Sequence, residues 1–321
     1  MGLLQRILAV MLWPLALAVM AVSLAAQGGR VSPHLDVLTH FALIYLFVAL
    51  ACLLGAALTP RRGRLALAGV ALVGAAASGA LVAPEFLPNP AEPRAPLDAP
   101  GQIKVIEFNA WSRNVAPERA SAWLLEQAPD IIVMIESKQI TDRLKAAGYQ
   151  VACRGCGALI FTRQKAVWSA GRDPRDDRTR FLAAATFADP NGDFTVVGVH
   201  RAWPLRFERD RREAQALRDY MAPFPKERLI LAGDFNSTSW SFARRRDDRD
   251  LGVIRRTRGL STWPAAQLSH NRLPAPFPYL PIDHVYAGPG WATVSVERGP
   301  ELGSDHYPVI VTLAPVDPVA D

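Results

Sequence analysis

The chain has 321 residues, half of them hydrophobic, with 36 Lys and Arg against 30 Asp and Glu for a formal charge of +6. That length allows one large domain or two ordinary ones, and the composition excludes disordered, collagen-like and small disulfide-scaffold classes. The layout is uneven: only Arg6, Arg30, Arg61, Arg62, Arg64 and Arg94 among the basic residues, and Asp36, Glu85, Glu92 and Asp98 among the acidic ones, precede residue 101. Downstream, 30 basic and 26 acidic groups remain. This excess is mild for a continuous nucleic-acid groove, although Arg244, Arg245 and Arg246 offer a local cluster for phosphates.

Three apolar stretches, residues 7–26, 37–58 and 65–83, each approach the roughly twenty residues that cross a hydrocarbon core. They predict three transmembrane helices in a membrane region covering residues 1–83. The basic start at residues 1–6, with the small residues Ser23, Ala25 and Ala26, also fits a cleaved secretory signal. Pro14 inside the first stretch is tolerable in a membrane, where neighbouring helices can satisfy the freed carbonyl. Arg61, Arg62 and Arg64 crowd the second loop, whereas the first holds Arg30 offset by Asp36. Basic loops stay inside, so everything from Pro84 onward is expected outside the cytoplasm, anchored in a bacterial-type inner membrane. Gly74 and Ser78 make a small-xxx-small pair, a spacing that chance readily gives in so Ala-rich a helix.

Residues 84–100 hold six prolines, at positions 84, 88, 90, 93, 96 and 100. They predict an extended linker, and at about 3.1 Å per residue it would reach roughly 50 Å. From residue 101 to 321 the pattern is that of a soluble domain. The runs IKVIEFNAW, DIIVMIES, GALIFT, FTVVGVH, RLILAGDFN, IDHVYAG and HYPVIVTL predict strands. Residues 116–127 and 206–221 predict amphipathic helices. Such a mixture fits an α/β sandwich.

Asn109, Glu136, His200, Asp234, Asn236, Asp283, Asp305 and His306 each end or follow an apolar run. Singly, each has an ordinary reading: Asn109 as a turn residue, Glu136 as a solvated group, Asp234 with Asn236 as an Asx-turn. Together they supply hard oxygen ligands for a Mg²⁺-like ion, two imidazoles and carboxylates to partner them.

FNAW at 108–111, IES at 135–137, GDFN at 233–236, IDHV at 282–285 and SDHYPV at 304–309 resemble, in order and spacing, the endonuclease/exonuclease/phosphatase superfamily with its deoxyribonuclease I-like fold. The apolar N-terminal region, the Pro-rich bridge and TWP at 262–264 are similar to bacterial multi-pass membrane members. The resemblance implies a four-layered α/β sandwich and divalent-metal phosphoester hydrolysis with Mg²⁺, or Mn²⁺, whether one ion or two. It implies Asn109, Glu136 and Asp305 as metal ligands and Asp234 as the group that orients or deprotonates the attacking water. Asn236 would bind the phosphate or steady that water, and Gly233 would permit close backbone approach. His306, held by Asp283, and His200 would face the phosphate. His200, in HRAWP, is similar to the histidine of deoxyribonuclease I and the sphingomyelinases, where abasic-site endonucleases tend to have tyrosine.

The expected protein is a membrane-anchored, metal-dependent phosphodiester hydrolase, with nucleic acid favoured over phospholipid as substrate. Alternatives are a sphingomyelinase-like phospholipid phosphodiesterase, a phosphatase, and a non-catalytic binder of phosphorylated ligands. His284, beside Asp283, should point to the opposite strand face and be structural. His34, His40 and His270 show no partner pattern. Cys153 and Cys156 in CRGC fit a local disulfide outside the cytoplasm. The mixed-charge stretches 172–180 and 244–258 read as solvated loops, with substrate-facing loops as the alternative.

Overall fold

The structure, a computed structural model, describes residues 2–153, 156–170, 179–265, 275 and 277–316. His270 and most of the 172–180 stretch lie outside the described residues. The chain forms two compact units: Met1–Leu87 with Thr238–Arg246, and Pro88–Ser237 with Asp247–Asp321.

The first unit is built on α1 (Leu3–Gln27), α2 (Pro33–Thr39), α3 (Ala42–Ala56) and α4 (Arg61–Val82). Two helices are long and apolar enough to cross a membrane, and the bent pair α2 and α3 makes up to three. The second span expected over 37–58 falls on this bent pair. The chain turns by 57° between Thr39 and Ala42, where His40 and Thr39 bond to the Thr238–Arg246 segment. In α4, Arg62 and Gly63 are non-helical, so the regular helix starts after them. Helices α1 and α4 run parallel: Trp13 lies beside Gly63, Met20 beside Gly74, and Ser23 Oγ sits 2.7 Å from Ser78 Oγ. Helix α3 runs against both, with Leu12 beside Gly55 and Leu46 beside Gly79. The Gly74 and Ser78 pair lies against α1. A Cβ on Gly74 would stand 3.3 Å from the Met20 backbone, so the small residue permits the close approach of α1. Leu3, Leu4, Val10, Met11, Leu54, Leu58, Leu65 and Leu72 remain exposed, which suits lipid better than water.

In the second unit, one sheet has the order β11 (Trp291–Arg298), β12 (Val309–Pro315), β1 (Ile103–Asn109), β2 (Ile131–Ile135), β4 (Ala158–Thr162), β3 (Gln150–Val151). The other has β5 (Trp168–Ser169), β6 (Leu182–Phe187), β7 (Phe194–His200), β8 (Leu229–Asp234), β10 (Asp283–Ala287), β9 (Ile254–Arg255). Strand alternation fixes what each face meets. Ile103 and Val105 of β1, Ile230 and Ala232 of β8, and Val285 and Ala287 of β10 fill the dry layer between the sheets. The opposite faces carry the helices. Ala120 and Leu124 of α5 (Pro117–Gln127) and Leu144 of α6 (Thr141–Ala146) cover Ile106, Phe108, Ile132 and Met134. Leu217 and Met221 of α7 (Phe207–Met221) cover Val197, Val199, Leu229 and Leu231. The result is the expected four-layered α/β sandwich.

The linker is not a free spacer. Thr293 N donates to Pro93 O at 2.8 Å, Ala95 N donates to Thr293 O at 3.0 Å, and Glu92 is buried. The 244–258 stretch is not a solvated loop either: α8 spans Phe242–Asp250, and Arg244, Arg255 and Arg256 are buried. Arg256 reaches the carbonyls of Ala287, Gly288 and Trp291, so its charge meets backbone dipoles in place of water.

Candidate active site

Strand direction gathers the polar residues at one end of the sandwich. β1 and β2 run parallel with Asn109 opposite Ile135, which puts Glu136 one step beyond. β7 and β8 run parallel with His200 opposite Asp234. β10 runs against β8 with Asp283 opposite Asp234. β12 runs against β1, so His306, three residues before β12, arrives at the end where Asn109 leaves. Gly233 makes the β7–β8 approach possible: its φ is +152°, and a Cβ there would fall 1.9 Å from Val199 O.

Asp234 is buried. Its Oδ1 accepts from Asn236 N at 2.7 Å and its Oδ2 from Asn109 Nδ2 at 3.0 Å. His200 Nε2 and His306 Nε2 each lie 3.9 Å from Asp234 Oδ2. His306 Nδ1 is 2.8 Å from Asp283 Oδ2. Burial, then the Asp283 charge, pushes the Asp234 carboxyl up to about 6, against the opposing pull of His306, His200 and the Asn236 N–H. Burial disfavours a charged His306, but Asp283, by charge and hydrogen bond, and then Asp234 and Asp305 outweigh it and push the imidazole up to about 10. The two groups are thus tuned as a base below neutrality and a cation above it.

Glu136 leaves β2 with φ +54°, and its Oε2 accepts from Ser112 N at 3.0 Å. Asn236 and Trp111 also hold positive φ, at +50° and +53°. Such backbone strain collects at functional sites. Asp305 is pushed up by burial, against His306 and a hydrogen bond from the Trp263 side chain, and Glu136 adds repulsion. Its buried Oδ1 has no hydrogen-bond partner among the described residues. Two mutually repelling carboxylates, an orphaned oxygen and the neighbouring Asn109 amide are the hard donors a divalent cation takes, so these residues fit such an ion. Asp234, Asp283 and His306 also bring ligand atoms within 4.8 Å of one another. That group is a weaker cage, because the His306 ring is already bonded to Asp283 and is held cationic.

Residues 106–306 match the Endonuclease/Exonuclease/phosphatase family. The chain belongs to that family. Among solved structures, the endonuclease/exonuclease/phosphatase from Beutenbergia cavernae is 18% identical, with a TM-score of 0.50 over 67% of this chain and 72% of that one. The corresponding protein from Bacteroides vulgatus is 18% identical, with a TM-score of 0.51 over 67% of this chain and 99% of that one. A functionally unknown conserved protein from Enterococcus faecalis is 15% identical, with a TM-score of 0.52 over 66% of this chain and 100% of that one. These likenesses carry the fold. No curated protein matches the chain.

Sequence reasoning missed two residues near this family site. Glu107 is fully buried on the β1 face that carries Val105 and Asn109, and neither of its oxygens has a hydrogen-bond partner among the described residues. Burial, then Asp283 and Asp234, raises it well above the usual carboxylate range. An acid at an inner-face position of an otherwise apolar strand was the available signal. Arg201 is buried too. Its N donates to Asp234 O at 2.9 Å, its O accepts from Asn236 Nδ2 at 2.9 Å, and its guanidinium holds Asp210 and Asp247. The Arg244, Arg245 and Arg246 cluster is corrected as a phosphate patch: Arg244 is fully buried and Arg245 Nη2 donates to Leu81 O at 2.5 Å. His284 is buried, with Nδ1 3.3 Å from Thr257 Oγ1 and Nε2 3.1 Å from Ser237 O. Cys153 and Cys156 are disulfide-bonded.

Proposed function

We propose that this chain is a membrane-anchored, divalent-metal-dependent phosphodiester hydrolase. The observation that carries the reading is the buried Asp234 flanked by His200 and His306, with the Asn109, Glu136 and Asp305 donors alongside. Asn109, Glu136 and Asp305 would hold the ion, which when bound would supply neutralisation of charge on the phosphate and leaving oxygens. Asp234, deprotonated above about pH 6, takes the proton of the attacking water. Asn236 steadies that water from the strand end. His306, kept cationic by Asp283, and His200 meet the charge that builds on the phosphate oxygens. Positioning supplies much of the remaining acceleration, and no covalent intermediate on the protein is needed.

The substrate class we carry forward is nucleic acid. Trp203, three residues past His200, is half exposed and lies edge-on to Trp263 with ring centroids 6.3 Å apart. Such a face beside a phosphate subsite can stack a base. The burial of Arg244 removes one reason for expecting long phosphate tracking, so a short or single-stranded substrate fits better. Phospholipid is the competing outcome. A panel of DNA, RNA, phosphomonoesters and vesicles, each with Mg²⁺ and the full chain, tests the choice. Headgroup release with both nucleic acids left intact replaces nucleic acid with lipid.

The catalytic unit is proposed to face away from the cytoplasm of a bacterial-type inner membrane. Parallel α1 and α4 support this: if both cross in the same direction, the intervening α2 and α3 return the chain, giving three crossings. The basic Arg61, Arg62 and Arg64 loop then stays inside. The Cys153–Cys156 disulfide supports the same side.

A further inference from the structure

We propose that Asp36 and His40 of the helical unit are positioning residues for hydrolysis, acting by gripping the chain as it leaves the Asp234–Asn236 strand end. The inference rests on the functional reading of Asp234 and Asn236 given above. Four residues after Asp234 the chain enters Thr238–Arg246, which folds as part of the helical unit. At its entry, Thr238 N donates to His40 Nδ1 at 3.2 Å and Thr238 Oγ1 lies 2.9 Å from the same nitrogen. A backbone N–H can only donate, so Nδ1 is the lone-pair nitrogen of that ring. Trp240 is fully buried among Ala26, Ala42, Leu81 and Val82, and its Nε1 donates to Thr39 O at 2.8 Å.

Asp36 does for α8 what a capping residue ordinarily does for its own helix. Its Oδ1 accepts from Phe242 N and its Oδ2 from Ala243 N, both at 2.8 Å, which satisfies two donors of the first turn. A buried carboxylate on an apolar helix is costly unless its oxygens are used, and here both meet this segment. At the exit, Asp247 returns to the catalytic unit and accepts from Arg201 Nη1 at 2.6 Å. Arg201 bonds through its own backbone to Asp234 O and to Asn236 Nδ2. Both ends of the gripped segment therefore lead directly into the frame of Asp234 and Asn236. Releasing it frees the strand end, and a shift of about 1 Å at a reacting group is enough to cost roughly a hundredfold in rate.

The test uses the full chain in detergent with Mg²⁺ and bis(4-nitrophenyl) phosphate, alongside amide hydrogen exchange. Asp36→Ala should lower kcat by about tenfold or more with KM changed less than about twofold. Asp36→Asn keeps one acceptor and should recover part of the loss. Exchange should rise at Phe242 and Ala243 and also at residues 234–238. Thr238→Val, a milder change, should lower kcat in the same sense should Asp36→Ala fail to fold. Unchanged kcat in a variant whose segment exchanges freely overturns the proposal. So does faster exchange confined to residues 242–243, or none at all. If the parent chain does not hydrolyse the probe, the functional reading has failed, and the exchange pattern at 234–238 still decides whether the grip holds the strand end.

Discussion

At the residue scale the proposed chemistry rests on two titrating groups, Asp234 and His306, and their tuning predicts a pH profile of definite shape. In the proposed role Asp234 takes a proton and so must be deprotonated, and kcat/KM should rise with pH through about 6. His306 must stay cationic, so activity should fall as pH passes about 10. Asp283→Asn removes the charge that sustains the imidazolium, and the alkaline limb should then move to lower pH. A profile whose alkaline limb is unmoved in that variant contradicts the assigned pairing. The same raised His306 value has a stability consequence. Its folded value lies above the ordinary 6.5, so its contribution is fully present below about 6.5 and lost as pH rises through about 10. Thermal unfolding temperature in the parent should decline across that window more steeply than in Asp283→Asn. The site's blocks were legible in the sequence because a polar residue ending an apolar run is conspicuous. Glu107 was not, because it lies inside the run, and His40 was not, because its partner Thr238 is 198 residues away.

Among elements, the β7–β8 pair and the gripped segment bear the most weight on the site. Gly233→Ala puts a Cβ 1.9 Å from Val199 O, and the strands must part. A loss of about 3 kcal/mol or more is expected in denaturant unfolding, with activity falling together with it. A neutral Gly233→Ala contradicts the tight strand approach. Trp240→Ala empties a fully buried position and should cost about 3–5 kcal/mol. The sequence pattern located β1, β2, β4, β7, β8, β10 and β12 because Val, Ile and aromatic residues mark them. It passed over β6, whose run LAAATF is built on alanine with little strand preference of its own, and whose place comes from pairing with β7. It also read 244–258 as a solvated loop, because mixed-charge runs usually are. Here Arg245 donates to the Leu81 carbonyl and Arg256 to those of Ala287, Gly288 and Trp291, distant partners that no local pattern records.

At the scale of the whole molecule, an apolar helical unit and a family hydrolase unit share one chain, and the chain visits the helical unit twice. With three crossings, a periplasmic reporter fused after Asp321 should be active and a cytoplasmic one inactive; the reverse pattern contradicts the orientation. A version lacking residues 1–87 leaves Trp240 and Phe242 without their packing partners and should be less active per molecule than the full chain. The Asn109, Glu136 and Asp305 donors beside Asp234 are proposed to make this chain a metal-dependent phosphodiesterase. The most direct measurement is phosphodiester turnover by the purified full chain with Mg²⁺, with chelator, and as Glu136→Gln. Chelation should abolish turnover, and Glu136→Gln should lower it by on the order of a hundredfold or more with unfolding temperature unchanged; turnover that survives both would contradict the metal-dependent reading.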